Sequence, residues 1–341
     1  MANEKMKITL PYLLYTGDAD ATFGAKTAEG VLHWCPDQCV AQRTLPGGSL
    51  DLGIPTMSLE EAFDAGARTV LIGVTNRGGI YPTQWTDDLV QGLEIGYDIA
   101  SGLHDRLRDQ PALMEAAEKY GRQLHDVRHW TGGPIPLATG EKREGKRALM
   151  VGTDCAVGKK FSALAVHRAL LEKGANATFR ATGQTGVLIA GEGVAIDAVP
   201  ADFIAGAVEM ISPANTADHW DVIEGQASVL HPSFSGVTLG LVHGAQPDAM
   251  ILCHEPGRKN VRRLSNRPMP SIEETIIAHE QAAKVTNPAC KVVGVSLDTH
   301  RMSEADAQAA VKQIGAETGL PTTDPIRFGA SVLADAILKM T

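Results

Sequence analysis

The chain has 341 residues, a formal net charge of −9 and 44% hydrophobic residues. This length predicts two domains, each long enough to bury its own core. The 35 glycines and the aromatic content of only 5% are typical of an α/β protein with many tight turns. The acidic balance excludes a general nucleic-acid binder, which would carry a basic face, but it allows a local basic pocket for a small anion.

The N-terminal apolar run has some features of a signal peptide, because Lys5 and Lys7 precede Ile8–Tyr15. We interpret it as the first strand, since it is short, contains Pro11 and leads into Gly17-Asp18. No run approaches the roughly 18 apolar residues of a membrane span, so no membrane partner is expected. The five cysteines are scattered and odd in number, which suits a reducing compartment and predicts a cytoplasmic protein.

Cys35 and Cys39 have a spacing that can begin a zinc site. No second pair of cysteines or histidines completes such a site in the sequence. We therefore expect two half-buried thiols on a turn, and no metal.

Residues 1–140 are predicted to form a Rossmann-like domain. Ser58 and Glu61 have the spacing of a capping box and predict the start of a helix. A longer helix is expected over Thr86–Leu107. Strands are predicted at Ile8–Leu14, Thr69–Val74 and Leu124–Val127. Alternating strands and helices imply a parallel sheet, whose ligands bind beyond the carboxyl ends of the strands, so the loops Gly17-Asp18 and Asn76–Gly79 are candidate site loops.

Residues 141–341 are predicted to form the second α/β domain, after a linker rich in glycine, proline and charge. Its predicted strands are Ala177–Arg180, Ser228–Leu230, Gly236–Val242, Ala249–Cys253 and Lys291–Leu297. Its predicted helices are Ile204–Ile211, Ser271–Val285, Ser303–Thr318 and Ser331–Met340.

The second domain begins with a strand, a glycine-bounded loop and a helix, which is the layout of a phosphate cradle. In such a loop, backbone N–H groups and a helix N-terminus surround an anion, and a lysine neutralises it. The residues expected to hold the phosphate are Gly152, Thr153, Asp154, Cys155, Ala156, Val157, Gly158, Lys159 and Lys160. We call residues 152–160 the phosphate loop.

This loop differs from a standard Walker A sequence in two respects. Five residues separate Gly152 from Gly158, as in dethiobiotin synthetases, whose loops it resembles. Lys160 occupies the position of the Ser or Thr that holds Mg²⁺ in nucleotide-using proteins. A protonated lysine repels Mg²⁺, so we expect a phosphate-bearing ligand without metal, with the diphosphate of coenzyme A as the leading candidate. Ser162 can supply a shifted hydroxyl, which leaves Mg·ATP binding as the alternative.

Thr182, Gln184 and Thr185 follow a predicted strand end and are expected to line the same crevice, unless they form a solvated turn. They belong to a set of motifs that runs through most of the chain. The set comprises Gly17-Asp18, Lys26-Thr27, Ala181–Gly186, Asp202–Glu209, Glu224–Gln226, His231–Leu241, His243-Gly244 and Cys253–Pro256. With the phosphate loop, these motifs resemble the family of P-loop proteins that includes D-glutamate N-acetyltransferases.

The resemblance implies acetyl transfer from acetyl-CoA to the amino group of D-glutamate, giving N-acetyl-D-glutamate. It also implies a Rossmann-type domain joined to a P-loop domain. The expected partner is thus a small molecule, and such domains commonly form homo-oligomers. The alternatives are an ATP- and Mg²⁺-dependent ligase or kinase, and a nucleotide sensor without turnover.

Acetyl transfer to an amine needs a general base. The predicted catalytic residues are Asp202, Glu224 and His231, and Glu209 and His254 are further candidates. Asp202 can equally be a helix N-cap, and His231 can equally cap a loop. Cys155 offers a covalent acyl intermediate as an alternative to direct attack.

The two carboxylates of glutamate call for basic side chains. The residues predicted to bind them are Lys26, Arg43, Arg77 and Arg180. Arg258, Arg262 and Arg263 form a further basic patch.

Overall fold

The computed structural model describes residues 8–20, 24–74 and 79–340, which divide into two compact units. The first unit contains the described residues up to Gly133 and the segment Gly183–Ala198. The second contains Pro134–Thr182 and the chain from Val199 onward.

The first unit has a five-stranded sheet in the order β2-β1-β3-β4-β5, with every neighbouring pair parallel. The strands are β1 (Tyr12–Gly17), β2 (Cys39–Thr44), β3 (Thr69–Ile72), β4 (Asp98–Ser101) and β5 (Leu124–Asp126). The helices are α1 (Lys26–Trp34), α2 (Leu59–Asp64), α3 (Thr86–Ile95) and α4 (Pro111–Tyr120). The direction of winding changes between β1 and β3, and such a point is where parallel sheets bind ligands.

The predicted capping box is confirmed at the start of α2. The Ser58 side chain accepts a hydrogen bond from Glu61 N at 3.1 Å, and the Glu61 carboxylate accepts one from Ser58 N at 2.9 Å. The predicted long helix over Thr86–Leu107 is wrong beyond Ile95. Gly96 ends α3 with a φ of +123°, and Ile99 is a buried residue of β4.

The second unit has a six-stranded sheet in the order β11-β10-β9-β6-β8-β7, also parallel throughout. Its strands are β6 (Lys146–Gly152), β7 (Ala177–Arg180), β8 (Trp220–Ile223), β9 (Ala249–His254), β10 (Lys291–Leu297) and β11 (Thr322–Thr323). The remaining helices are α5 (Lys159–Glu172), α6 (Gln184–Ala190, in the first unit), α7 (Ile204–Ile211), α8 (Ser235–Ala245), α9 (Ile272–Ala283), α10 (Glu304–Thr318) and α11 (Ser331–Leu338). These two sheets with their helices confirm the predicted α/β class. The strand that feeds the phosphate loop, β6, lies at the centre of its sheet.

The predicted strand over Gly236–Val242 is wrong, because these residues belong to helix α8. A Cβ at Gly244 would lie 2.2 Å from the carbonyl oxygen of Ala205, so the small residue allows α8 to pack closely on α7. The predicted strand at Ser228–Leu230 is wrong as well. The strand in this part of the chain is β8, which was not predicted from the sequence.

The helices of the described ranges are all too short or too polar to cross a membrane. All five cysteines are free thiols.

Candidate active site around the phosphate loop

The phosphate loop joins β6 to α5 by a turn that requires glycine at both ends. Gly158 has a φ of +89° and is the N-cap of α5. A Cβ at Gly152 would lie 3.0 Å from Lys159 Nζ and 2.9 Å from the Val157 side chain. The lysine side chain therefore folds back across the first glycine.

Asp154 stabilises the loop through hydrogen bonds to other groups of the protein. Its carboxylate is fully buried and accepts hydrogen bonds from Cys155 N at 2.6 Å, Arg262 N at 2.7 Å and Arg258 Nη1 at 3.0 Å. The predicted ligand-binding role of Asp154 is therefore indirect at most, because its oxygens are already used by the protein.

Arg258 binds the outer side of the same loop. Its guanidinium donates to the carbonyl oxygens of Cys155 and Ala156, both at 2.7 Å, and to the Glu255 carboxylate. Ala156 has a φ of +49°, a conformation that needs such support in a residue other than glycine. By binding the carbonyl oxygens, Arg258 fixes the orientation of the loop peptides.

Lys159 is buried, and its Nζ donates to the carbonyl oxygen of Asp154 at 2.6 Å. Burial lowers the pKa of this lysine. An anion in the loop would offer the ammonium a charged acceptor in place of the carbonyl. Lys160 is half-buried, with its Nζ 5.1 Å from the centre of the Phe161 ring.

The hydroxyl of Ser162 is already hydrogen-bonded within the protein. It donates to Gly158 O at 3.0 Å and lies 2.7 Å from the hydroxyl of Ser296, and both serines are buried. A shifted Mg²⁺ ligand at Ser162 would have to leave both partners. This geometry disfavours the alternative in which Ser162 replaces the usual Ser or Thr.

Glu224 follows β8 directly and lies beside the loop strand. A Cβ on the next residue, Gly225, would lie 1.5 Å from Met150 O and 3.0 Å from the Lys159 side chain. The Glu224 carboxylate accepts from Thr182 N at 3.0 Å, while the Thr182 hydroxyl donates to Glu224 O at 2.7 Å. The structure thus places the predicted catalytic residue Glu224 in contact with Thr182, and the adjacent Gly225 close to Lys159.

His231 is buried and directs Nε2 toward Asp154. Its Nδ1 accepts a hydrogen bond from Ser233 N at 3.1 Å, so a neutral ring carries its proton on Nε2. Among the described residues Nε2 has no hydrogen-bond partner, and Oδ1 of Asp154 lies 3.7 Å away. In this state His231 is a donor, and a general base at Nε2 would need the other tautomer.

Asp154, Cys155 and His231 bring three potential metal-ligand atoms within 4.8 Å of one another. The chemistry of this set does not fit a cation. Nε2 of His231 holds a proton, and the Asp154 oxygens are taken by Arg258 and two backbone N–H groups. Burial also raises the pKa of the Cys155 thiol, which disfavours the thiolate.

His254, one of the further candidates from the sequence, lies at the end of β9 next to the loop. Its Nδ1 is 3.1 Å from the hydroxyl of Thr153. Burial, with a contribution from Arg258, lowers the pKa of His254 to about 4, so this ring is neutral near pH 7. The sequence indicated His254 as a site residue through its position directly after the predicted strand Ala249–Cys253.

Asp202 is exposed and lies just before α7. The alternative that it caps this helix is wrong, because the N-cap is Phe203 and no side-chain capping bond is present. Glu209 holds the chain leading into β6, accepting from Thr139 N at 2.9 Å and Gly140 N at 3.0 Å. Arg180 is paired with the buried Asp221 at 2.7 Å.

The other predicted site residues belong to the first unit. Arg43 forms a two-point ion pair with Asp88, at 2.5 and 3.3 Å, and Lys26 is exposed at the start of α1. With its amide oxygen turned toward Arg128, Gln184 accepts from Nη1 at 3.2 Å. Thr185 is buried in α6. Arg77 lies outside the described residues.

The candidate loop Gly17-Asp18 is occupied by protein contacts. Asp18 accepts from Trp85 Nε1 at 2.6 Å and from Gln84 Nε2 at 3.1 Å, and the Trp85 bond lowers the pKa of this carboxyl. The Trp85 ring lies against Gly17, where a Cβ would come within 2.4 Å of it.

Comparison with known proteins matches both units to one family. The DUF1611 P-loop domain, a domain of unknown function, matches residues 136–334, and the DUF1611 N-terminal Rossmann-like domain matches residues 41–130. A crystal structure of a DUF1611 family protein from Anabaena variabilis superposes with a TM-score of 0.84 at 33% identity, covering 97% of this chain and 100% of that one.

Two relatives are named D-glutamate N-acetyltransferase. The protein from Tritonibacter scottomollicae is 52% identical over 330 residues, and that from Pseudoalteromonas sp is 42% identical over 331 residues. Each alignment covers 97% of this chain and 99% of the relative. The family resemblance predicted from the motifs is confirmed. This chain belongs to the DUF1611 family, with its Rossmann-like domain followed by its P-loop domain.

Proposed function

We propose that this protein transfers the acetyl group of acetyl-CoA to the amino group of D-glutamate, producing N-acetyl-D-glutamate and free coenzyme A. The observation that carries the proposal is the 52% and 42% identity, over almost the whole chain, to two proteins of that name. The predicted acyltransferase class rests on the same similarity.

In the proposed reaction, the amine nitrogen attacks the thioester carbonyl carbon. The new C–N bond forms as the C–S bond breaks, and the coenzyme A sulfur leaves as a thiolate, which takes up the second proton that the nitrogen loses. The ammonium form of glutamate must first lose a proton to a base. Direct attack is the preferred route, since burial raises the pKa of Cys155, the one thiol of the phosphate loop.

The phosphate loop is the proposed anchor of the coenzyme A diphosphate. Its support is the strand, loop and helix geometry, with the N-terminus of α5 and Lys159 at the same place. No metal is required by this arrangement, because Lys159 and Lys160 supply the countercharge.

Glu224 is the proposed general base. It follows β8, the strand that pairs with the loop strand β6, and the Thr182 N–H holds one of its carboxylate oxygens in place. His231 fits a donor role better because its Nε2 is protonated when Nδ1 accepts a bond. Asp202 stays a weaker proposal, since no contact between the described residues links it to the loop.

Lys26 is the proposed first contact for a substrate carboxylate among the described residues of the predicted set. It is exposed, whereas Arg43 and Arg180 already pair with carboxylates of the protein. Arg77 remains part of the proposal on sequence grounds alone.

The alternative function is that of an ATP- and Mg²⁺-dependent ligase or kinase. The length of the phosphate loop favours it, because dethiobiotin synthetases have the same spacing. Lys160 at the metal-ligand position and the engaged hydroxyl of Ser162 oppose it.

The deciding experiment incubates the purified protein with acetyl-CoA and either D- or L-glutamate and follows free thiol release. We expect release that depends on D-glutamate, with N-acetyl-D-glutamate identified by mass spectrometry. No release with either enantiomer would overturn the proposal. ATP hydrolysis that depends on D-glutamate and Mg²⁺ would instead establish the alternative.

We also propose that the protein acts in the cytoplasm, supported by five free thiols, and that it forms a homo-oligomer.

A further inference from the structure

A strongly basic segment follows β9 in this acidic protein. Residues 256–270 contain no Asp or Glu, although the whole chain carries a net charge of −9. The five cations of the segment are Arg258, Lys259, Arg262, Arg263 and Arg267. Such a local excess of one charge concentrates oppositely charged ligands.

The segment forms a hairpin that is held by backbone hydrogen bonds. Asn260 and Pro268 form an antiparallel bridge, and Met269 N donates to Lys259 O at 2.9 Å. Val261 is buried, and its N–H donates to Arg267 O at 2.9 Å. We call residues 258–269 the basic hairpin.

The basic hairpin is fastened directly to the phosphate loop. Arg258 donates to the carbonyl oxygens of Cys155 and Ala156 at 2.7 Å. The backbone N–H of Arg262 donates to the Asp154 carboxylate at 2.7 Å. The side chain of Arg262 therefore begins beside the loop.

The charges of the hairpin differ in their surroundings. Arg258 is neutralised by Asp154 and Glu255. Lys259, Arg262, Arg263 and Arg267 are exposed, and none of the ion pairs between described residues uses them. Of these four exposed residues, Arg262 is the one whose backbone contacts the phosphate loop.

We propose that Arg262 and Arg263 of the basic hairpin bind the 3′-phosphate of coenzyme A. This inference rests on the proposed use of acetyl-CoA. Coenzyme A carries a diphosphate and a separate phosphate on its ribose, and one phosphate loop can surround only the first. Arg262, whose backbone is held at the loop, and the adjacent Arg263 match the second in charge and in donor type.

The test compares acetyl-CoA with acetyl-dephospho-CoA as donors in the wild type and in the double variant Arg262→Gln/Arg263→Asn. Asparagine is chosen because Arg263 has a φ of +66°, which asparagine tolerates. A double variant of two exposed lysines in the same unit, Lys312→Gln/Lys339→Gln, changes the net charge equally and is the control.

We expect the wild type and the control to prefer acetyl-CoA by about tenfold or more in kcat/KM, as for the loss of a charge-assisted pair. The double variant should lose this preference, because its kcat/KM for acetyl-CoA falls to that for acetyl-dephospho-CoA. Equal use of both donors by the wild type, or a preference that the double variant retains, would overturn the inference.

Binding of CoA and dephospho-CoA, measured by calorimetry on the same three proteins, separates this inference from the proposed function. A wild type that binds CoA more tightly, with the difference lost in the double variant, supports the hairpin role even if no acetyl transfer is found. Absence of turnover with both donors overturns only the acetyltransferase proposal.

Discussion

At the scale of the residue, Arg258 shows how contacts within the protein fix the shape of the phosphate loop. One planar guanidinium binds the Asp154 carboxylate and the carbonyl oxygens of two successive loop residues. A single ammonium cannot reach acceptors spread in this way, because lysine is a point charge on a flexible stem. The contribution of Arg258 is therefore geometric as well as electrostatic.

We predict that Arg258→Lys weakens acetyl-CoA binding by about tenfold, nearly as much as Arg258→Ala, since the charge is kept but the fork is lost. Titration calorimetry measures the Kd. Arg106→Lys, at an exposed arginine of the first unit, is the matched control and should bind normally. An Arg258→Lys protein with wild-type affinity would show that charge alone suffices.

We predict that Glu224→Gln lowers kcat by about 10²- to 10⁴-fold, the usual contribution of a general base. A glutamine oxygen can still accept the Thr182 N–H bond, so the fold and the KM for acetyl-CoA should change little. Steady-state kinetics with D-glutamate measures both constants. Glu118→Gln, an exposed site on α4, is the control, and an unchanged kcat at position 224 would remove Glu224 from the mechanism.

At the scale of the element, the close approach of the chain after β8 to strand β6 shapes the neighbourhood of the phosphate loop. Gly225 lies so near Met150 that only a residue without a side chain fits. This contact sets the distance from Glu224 to the strand that carries the loop. Helix α9 affects the stability of the protein in another way, because it buries the imidazole ring of His279.

We predict that Gly225→Ala lowers the free energy of unfolding by at least about 3 kcal/mol, at the upper end of overpacking costs. Its Cβ would lie 1.5 Å from a backbone oxygen, which cannot move without disturbing β6. Gly236→Ala in α8 is the control, because open space surrounds that position, and it should be neutral or stabilising by up to about 1 kcal/mol. Urea midpoints compare the two, and similar midpoints would contradict the close contact.

His279 of α9 makes stability depend on pH. It is buried, its Nδ1 is 2.8 Å from Thr275 O, and burial lowers its pKa from 6.5 to about 4. Between these values the unfolded chain binds a proton that the folded protein does not. Stability from this group is thus full above pH 6.5 and is lost as the pH falls toward 4.

We predict that His279→Gln reduces the loss of stability between pH 7.5 and 5.0 by about 2 kcal/mol. Denaturant unfolding at the two pH values measures it, and only the difference matters, because the substitution also changes stability at neutral pH. An unchanged difference would show that this ring is protonated in the folded protein.

At the scale of the whole molecule, the net charge and the site have opposite signs. The chain is acidic overall, while the phosphate loop and the basic hairpin gather cations at one end of the second sheet. A polyanionic donor is attracted to such a place without the help of a metal ion.

We predict that acetyl-CoA at 100 times its Kd stabilises the protein by about 2.7 kcal/mol and raises Tm, with or without EDTA. Mg·ATP at the same concentration should raise Tm less, because Lys160 opposes the metal. Thermal scans with each ligand measure this. A larger shift with Mg·ATP, abolished by EDTA, would contradict metal-free binding.

Two of the apolar segments of the second domain were predicted well from the sequence. The run Lys291–Leu297 is found as β10, and Ile204–Ile211 as α7. A segment rich in glycine and apolar residues, Gly236–Val242, was predicted wrongly. Its sequence has no period that distinguishes a strand from a buried helix. Packing against α7 decided in favour of α8.

Within the candidate site, the phosphate loop could be predicted from the sequence, but the roles of the surrounding side chains could not. Glycine spacing, lysine and an apolar strand identify the phosphate loop locally, since all its parts are contiguous in sequence. Arg43 and Arg180 look like ligand-binding arginines in sequence, but pairing with Asp88 and Asp221 occupies them. The tautomer of His231 likewise depends on where one backbone N–H points.

The sequence by itself determined the family, the α/β class and the residues of the phosphate loop, because these follow from local patterns and motif order. Only the tertiary structure decided that Asp154 is bound by Arg258, 104 residues away, and that the basic hairpin is fastened beside the loop. Such contacts depend on which strand ends meet at one edge of the sheet. Residue types and their spacing along the chain do not reveal which distant residues meet in space. The phosphate loop can therefore be recognised from the sequence, whereas the contacts that stabilise it cannot.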